Sequence, residues 1–189
     1  MKIYSFRRGT VIGMLLLMGL GLAIYLDTRS QSSLEQTNLI EIRSIETLRT
    51  QFNQDKGKTR LILLVSPTWS VCQAGASWVQ TEIMQQYTSN QFSVYAVWLQ
   101  MLPSISRDKW DETIMPDKRV THFWDGELEV ARWFAKQVDG YEGVSWDMYY
   151  LYGPDATWEI VPAPLVDSGG TIYRERQTLL TQVDALLGN

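Results

Sequence analysis

One cysteine, one histidine and a scatter of carboxylates are the residues of this 189-residue chain that could do chemistry. Cys72 lies three residues after Trp69 and two after Ser70, where QAGASWVQTEIMQQY takes on helical character. A thiol in the first turn of a helix faces peptide dipoles that favour the thiolate. Such a sulfur can form mixed disulfides or bind a soft metal. The competing reading of Cys72 is a small buried hydrophobe, and it is the favoured one, because free cysteines are commonly buried. A redox dithiol needs two sulfurs about three residues apart, and a single cysteine also excludes an intramolecular disulfide.

His122 is the only histidine. Flanked by Phe123 and Trp124, it reads as a packed side chain rather than a ligand, and no metal site is expected. Asp108, Asp111, Asp117 and Asp125 read as solvated loop carboxylates and helix caps. There is no glycine-rich phosphate loop and no G-x-S-x-G elbow, so neither phosphate-loop nor elbow-serine chemistry is expected, and no cofactor.

The elements that must position Cys72 follow from hydrophobic patterning. Leu61–Val65 is a short uninterrupted apolar run ending at Ser66-Pro67, the signature of a buried central strand. After it, Ala76, Val79, Ile83 and Tyr87 recur at helical spacing. Phe92–Trp98 is a second apolar strand, and strand–helix–strand order implies a parallel, right-handed crossover. The loop bearing Cys72 then opens at the carboxyl ends of the strands, the edge where open α/β sheets bind ligands.

Elsewhere, Leu39–Ile42 predicts an edge strand. Ser44 predicts a cap for a helix with Ile45, Leu48 and Phe52 on one face. Leu99–Val120 reads as an insertion containing a short helix, SRDKWDETI. Asp125 predicts a cap for GELEVARWFAKQ, with Leu128, Ala131, Phe134 and Ala135 inward. Met148–Tyr152 predicts a third core strand, Gly153–Ala156 a hairpin turn, and Trp158–Val161 the returning strand. Pro162 and Pro164 predict an extended exit. The last helix turns Leu179, Leu180, Val183, Leu186 and Leu187 inward.

Ser66-Pro67, Cys72 with Gly75, Val97-Trp98, Phe123-Trp124-Asp125, Trp146-Asp147 and Leu151-Tyr152-Gly153-Pro154-Asp155-Ala156 together resemble the thioredoxin-like superfamily. The resemblance is nearest to bacterial membrane-anchored or secreted thioredoxin-domain proteins. It runs from about Leu39 to near the C-terminus and implies an α/β, thioredoxin-like fold: a central mixed sheet flanked by helices, with the insertion after the second core strand. It implies that Cys72 holds the second, resolving position and that Trp69 stands where the nucleophilic cysteine belongs. A one-residue shift would instead make Trp69 the tryptophan preceding the motif and Ser70 the nucleophile's replacement. The first alignment keeps the C-x-x-G spacing. Asp147 falls near the position of the proline that usually faces the cysteines. A Cys72–His122 pair also resembles thioredoxin-fold copper chaperones, which use two cysteines and a distal histidine.

Eight tryptophans are more than a small core needs. Trp69, Trp124 and Trp146, with Asp147, are expected near the edge that bears Cys72, where they either cover the sheet edge and the insertion, the favoured reading, or line a binding groove for a protein or peptide.

The N-terminus decides the expected compartment. Lys2, Arg7 and Arg8 precede Thr10–Leu26, a stretch without charge and without a persuasive cleavage site. This predicts a signal anchor over residues 1–26, with a cleaved signal peptide as the alternative, then a polar linker over 27–38 and an exported domain over 39–189. Beyond the basic flank, 14 basic residues face 21 acidic ones, a net −7. That argues against nucleic acid, which needs a basic footprint. The expectation is a single-pass extracytoplasmic protein with a degenerate redox motif, acting as a binding or scaffold module. The alternative is a single-cysteine oxidoreductase or copper-handling protein using Cys72.

Overall fold

The computed structural model describes residues 38–188. The expected anchor and linker lie outside the described residues. No helix among the described residues is long and apolar enough to cross a membrane.

The strands are β1 (Leu39–Glu41), β2 (Thr59–Val65), β3 (Phe92–Leu99), β4 (Val120–Asp125), β5 (Met148–Trp158) and β6 (Pro162–Gly170). The helices are α1 (Ile45–Gln54), α2 (Ser70–Trp78), α3 (Glu129–Gln137) and α4 (Arg176–Leu187), and a π-helical turn over Val79–Met84 prolongs α2. All six strands form one mixed sheet in the order β1-β4-β3-β2-β5-β6. The first four run parallel, and β5 and β6 run antiparallel to their neighbours.

The central strand is buried on both faces, which is why it reads as a continuous apolar run. Leu61, Leu63 and Val65 join Cys72, Ala76, Val79 and Ile83 of the α2 segment and Leu179 and Val183 of α4 in one core layer. Ile62 and Leu64 join Leu48 and Phe52 of α1 and Phe134 of α3 in the other. The period of two in β2 thus assigns alternate residues to the two layers.

Several local expectations are corrected. β4 was not expected: directly after the insertion, Val120–Asp125 is a strand, wedged between β3 and β1. The expected short helix is instead two 3-10 turns, Arg107–Lys109 and Glu112–Ile114. Leu128 takes the N-cap position of α3 with a left-handed backbone, φ 55°, and packs half-buried against the core layer that holds Ala131 and Phe134. Ser44 has the extended backbone of an N-cap but makes no side-chain cap bond.

The hairpin turn is not at Gly153–Ala156. β5 runs through that sequence with register shifts, and the chain turns at residues 159–161. Pro162 and Pro164 lie within β6, an edge strand, where a missing N–H is tolerated.

The reason for that irregularity is Arg60, wholly buried in β2. Its Nη2 donates to the carbonyls of Gly153 (2.8 Å), Pro154 (3.3 Å) and Ala156 (2.9 Å). Nη1 reaches Phe52 O at 3.2 Å and Nε reaches Lys58 O at 3.0 Å. The guanidinium also lies 4.3 Å from the centre of the Phe52 ring. A hairpin turn at Gly153–Ala156 would put these carbonyls in solvent; here the buried guanidinium gathers them.

Candidate functional site

The parallel strands β2, β3 and β4 end together, with Val65, Trp98 and Trp124 in register. From the end of β2 the chain passes Ser66 and Pro67 and enters α2. Trp69 is the N-cap of that helix, with extended backbone, and Ser70 is its first residue. Cys72 therefore lies in the first turn, as its sequence position requires, and it is fully buried. Gln73 Nε2 donates to Pro67 O at 2.6 Å and ties the helix start to the turn.

Burial decides the chemistry of the thiol. Removal from water pushes Cys72 up from 9.0 to about 12, and the nearby Asp147 carboxylate adds to the rise. A backbone hydrogen bond from Ser66 pulls the other way without overcoming it. Desolvation outweighs the helix dipole here, so at neutral pH the group is a thiol, not a thiolate.

Gly75, one turn after Cys72, makes room for what packs on the helix. An added Cβ there would lie 2.9 Å from Ile172 Cβ and 3.6 Å from Asp147 Oδ1. Asp147 is itself 2 % exposed and holds a left-handed backbone, φ 53°. Neither carboxylate oxygen has a hydrogen bond of ordinary geometry. Burial raises its pKa, opposed by the nearby Thr171 side chain and the Ile172 backbone N–H. These neighbours act at a distance, since neither reaches bonding geometry. The hydroxyl of buried Ser66 is likewise without a partner.

Over this buried group lies an aromatic lip. The Trp69 and Trp146 rings meet edge to face, centroids 4.7 Å apart at 89°. Trp69 is half-buried against the core layer of Cys72, and Trp146 is 41 % exposed. The structure thus brings Trp69, Ser70, Cys72, Trp146 and Asp147 to one place. It removes Trp124 from the expected groove: that ring is buried, and its Nε1 lies against Gly126. The aromatic stripe at the end of β4 is core, because β4 is an interior strand.

His122 has no free nitrogen. Trp98 Nε1 donates to His122 Nδ1 at 3.1 Å, and His122 Nε2 lies 3.1 Å from Met115 O. Accepting at Nδ1 leaves the proton on Nε2, which donates to the carbonyl. Burial lowers its pKa and keeps the ring neutral. Both nitrogens are committed to packing the insertion onto β3 and β4. Among the described residues no cluster of three or more His, Cys, Asp or Glu could hold a metal.

Of the loop carboxylates, Asp125 is the cap expected of it. It accepts from the N–H groups of Glu129 (2.7 Å), Val130 (2.9 Å) and Ala131 (3.2 Å). Asp117 pairs with Arg119 at 2.7 Å, and Asp108 and Asp111 are exposed. What sequence reasoning missed at the site is the orphaned state of Asp147 and Ser66. No sequence pattern marks an unpartnered buried oxygen.

No family model matches the chain, and no curated protein matches it. Solved structures do. A thioredoxin-like protein in its oxidised form is 20% identical, with 68% of this chain and 78% of that one covered and a TM-score of 0.48. A proposed protein disulfide isomerase from Bacteroides thetaiotaomicron is 15% identical, covering 73% and 79%, with a TM-score of 0.47. A thiol:disulfide interchange protein of the thioredoxin family from Chlorobium tepidum is 14% identical, covering 71% and 83%, at 0.44. Likenesses at this level say nothing of activity. The chain's own topology is a mixed sheet with helices on both faces, and the cysteine-bearing helix springs from the carboxyl end of the central strand. The fold is thioredoxin-like.

Proposed function

We propose that this domain is a redox-inactive member of the thioredoxin-like superfamily that binds an extracytoplasmic protein or peptide at the Trp69–Trp146 lip. The observation that carries the reading is an aromatic pair standing over a buried thiol. Trp69 occupies the N-cap, three residues before Cys72, and its ring meets a partly exposed tryptophan edge to face while the thiol is sealed beneath. Half-exposed tryptophans in contact supply large apolar area at low entropic cost, as binding hot spots do. Thr10–Leu26 and its basic flank support tethering to the membrane, with residues 27–189 outside the cytoplasm. Protease added to spheroplasts would then degrade the domain, whereas full protection of the C-terminus would contradict this topology.

Binding is tested with alkylated insulin B chain as an extended peptide probe. Titration should change tryptophan emission saturably. Trp146→Ala, whose partly exposed ring can be removed with little cost to the core, should weaken that binding about tenfold or more, the loss expected of a hot-spot aromatic. No saturable change in the wild type, or undiminished affinity in the variant, would count against the lip.

A further inference from the structure

Three observations meet at one residue. Asp147 is 2 % exposed with both carboxylate oxygens unpaired. It holds φ 53°, a backbone rarely adopted by residues with a side chain and kept only where the surroundings enforce it. It follows Trp146, whose ring closes on the N-cap residue of the helix that carries Cys72. A buried carboxyl without partners is tolerable when neutral and costly when charged. We propose that Asp147 is a proton-dependent latch: its neutral carboxyl keeps the Trp146 loop seated on α2, and its ionisation lets the loop lift, so that access to Cys72 increases as pH rises.

The groups that face Asp147 fit this role. From α2 the backbone of Gly75 approaches its Oδ1, and Cys72 is near enough to feel its charge. From the segment after β6 come Thr171 and the backbone of Ile172, both uncharged. Cys72 is the one titratable group that these interactions connect to it, and no cation contributes to its titration. Nothing in this setting neutralises the carboxylate once formed. Seated, Asp147 has a pKa raised by burial above its ordinary 3.8. Lifted, it returns toward 3.8. Below both values the acid is neutral in either form and the seated loop has its full stability. As pH climbs from the ordinary to the raised value, the lifted form ionises first and gains population, and above the raised value the gain levels off. The latch belongs to the loop itself, so it holds whether or not the lip binds a peptide.

The test is the rate at which folded wild-type protein reacts with methyl methanethiosulfonate, a thiol reagent with no titratable group of its own that releases methanesulfinate as the mixed disulfide forms, between about pH 4 and pH 7. A thiol far below its pKa gives a rate that rises tenfold per pH unit, a slope of one in log rate. The latch adds a second titration, so the wild type should climb more steeply than one through part of this range. Asp147→Asn, permanently neutral and nearly isosteric, should keep a slope of one throughout and react more slowly than the wild type at pH 7, because it lacks the ionisation that lifts the loop. A wild-type slope of one throughout would overturn the proposal, as would the same steep profile in Asp147→Asn. Should the asparagine variant fail to fold, the wild-type slope decides alone.

Discussion

Cys72 in the native protein at pH 7 is expected to react with a thiol reagent about a thousandfold more slowly than in denaturant. Only the thiolate is nucleophilic. Burial lifts Cys72 from 9.0 to about 12, and each unit removes nine-tenths of the thiolate, which gives the factor of about 10³. The side chain is also fully buried, beneath a helix start capped by Trp69, so reagent must wait for an opening. Denaturant removes both obstacles. Labelling of the native protein within seconds at neutral pH would mean that the thiol is exposed and activated, and the reading of a packed cysteine would fail.

Arg60→Ala is expected to destabilise the domain by about 3–5 kcal/mol, the range for breaking a buried charged network. The guanidinium satisfies five carbonyls from three segments: Phe52, Lys58, and Gly153, Pro154 and Ala156. Its removal leaves several of them buried and unpaired, each costing about 1–3 kcal/mol though not additively. It also opens a cavity against Phe52. Arg60→Lys should lie between, because an ammonium keeps the charge but cannot reproduce the planar fork. Urea denaturation followed by circular dichroism measures this. A loss below about 1 kcal/mol for the alanine variant would show that the irregular middle of β5 is held by something other than Arg60.

What the sequence revealed and what it hid have physical reasons. The central strand, the cysteine in the first turn of the next helix and the inward faces of α1, α2 and α4 were legible because each depends on local periodicity. Asp125 was legible as a cap because a carboxylate before a helical pattern has one strong use there. β4 was not legible: Val120–Asp125 mixes polar and aromatic residues, and only its place between β3 and β1 makes it a strand. The true hairpin turn was masked by Gly153-Pro154-Asp155, whose turn-like composition serves instead to aim carbonyls at Arg60, 93 residues before Gly153 on β2. Trp124 and Trp146 are alike in sequence, yet one is core and the other lip. Burial separates them, and burial is set by neighbours that sequence spacing does not reveal.

The central claim, that this thioredoxin-like domain runs no dithiol cycle, is tested most directly by insulin reduction with a thiol reductant in excess. A cycle needs a nucleophile to form the mixed disulfide and a second thiol to resolve it, and Trp69 holds the N-cap position three residues before Cys72. Wild type should be indistinguishable from Cys72→Ala. Trp69→Cys, which places a second sulfur at that position, should close a disulfide with Cys72 under mild oxidation, marking Trp69 as the residue that displaced the nucleophile. If Ser70→Cys closes instead, the alignment shifts by one residue. Turnover by the wild type well above the Cys72→Ala background would contradict the account.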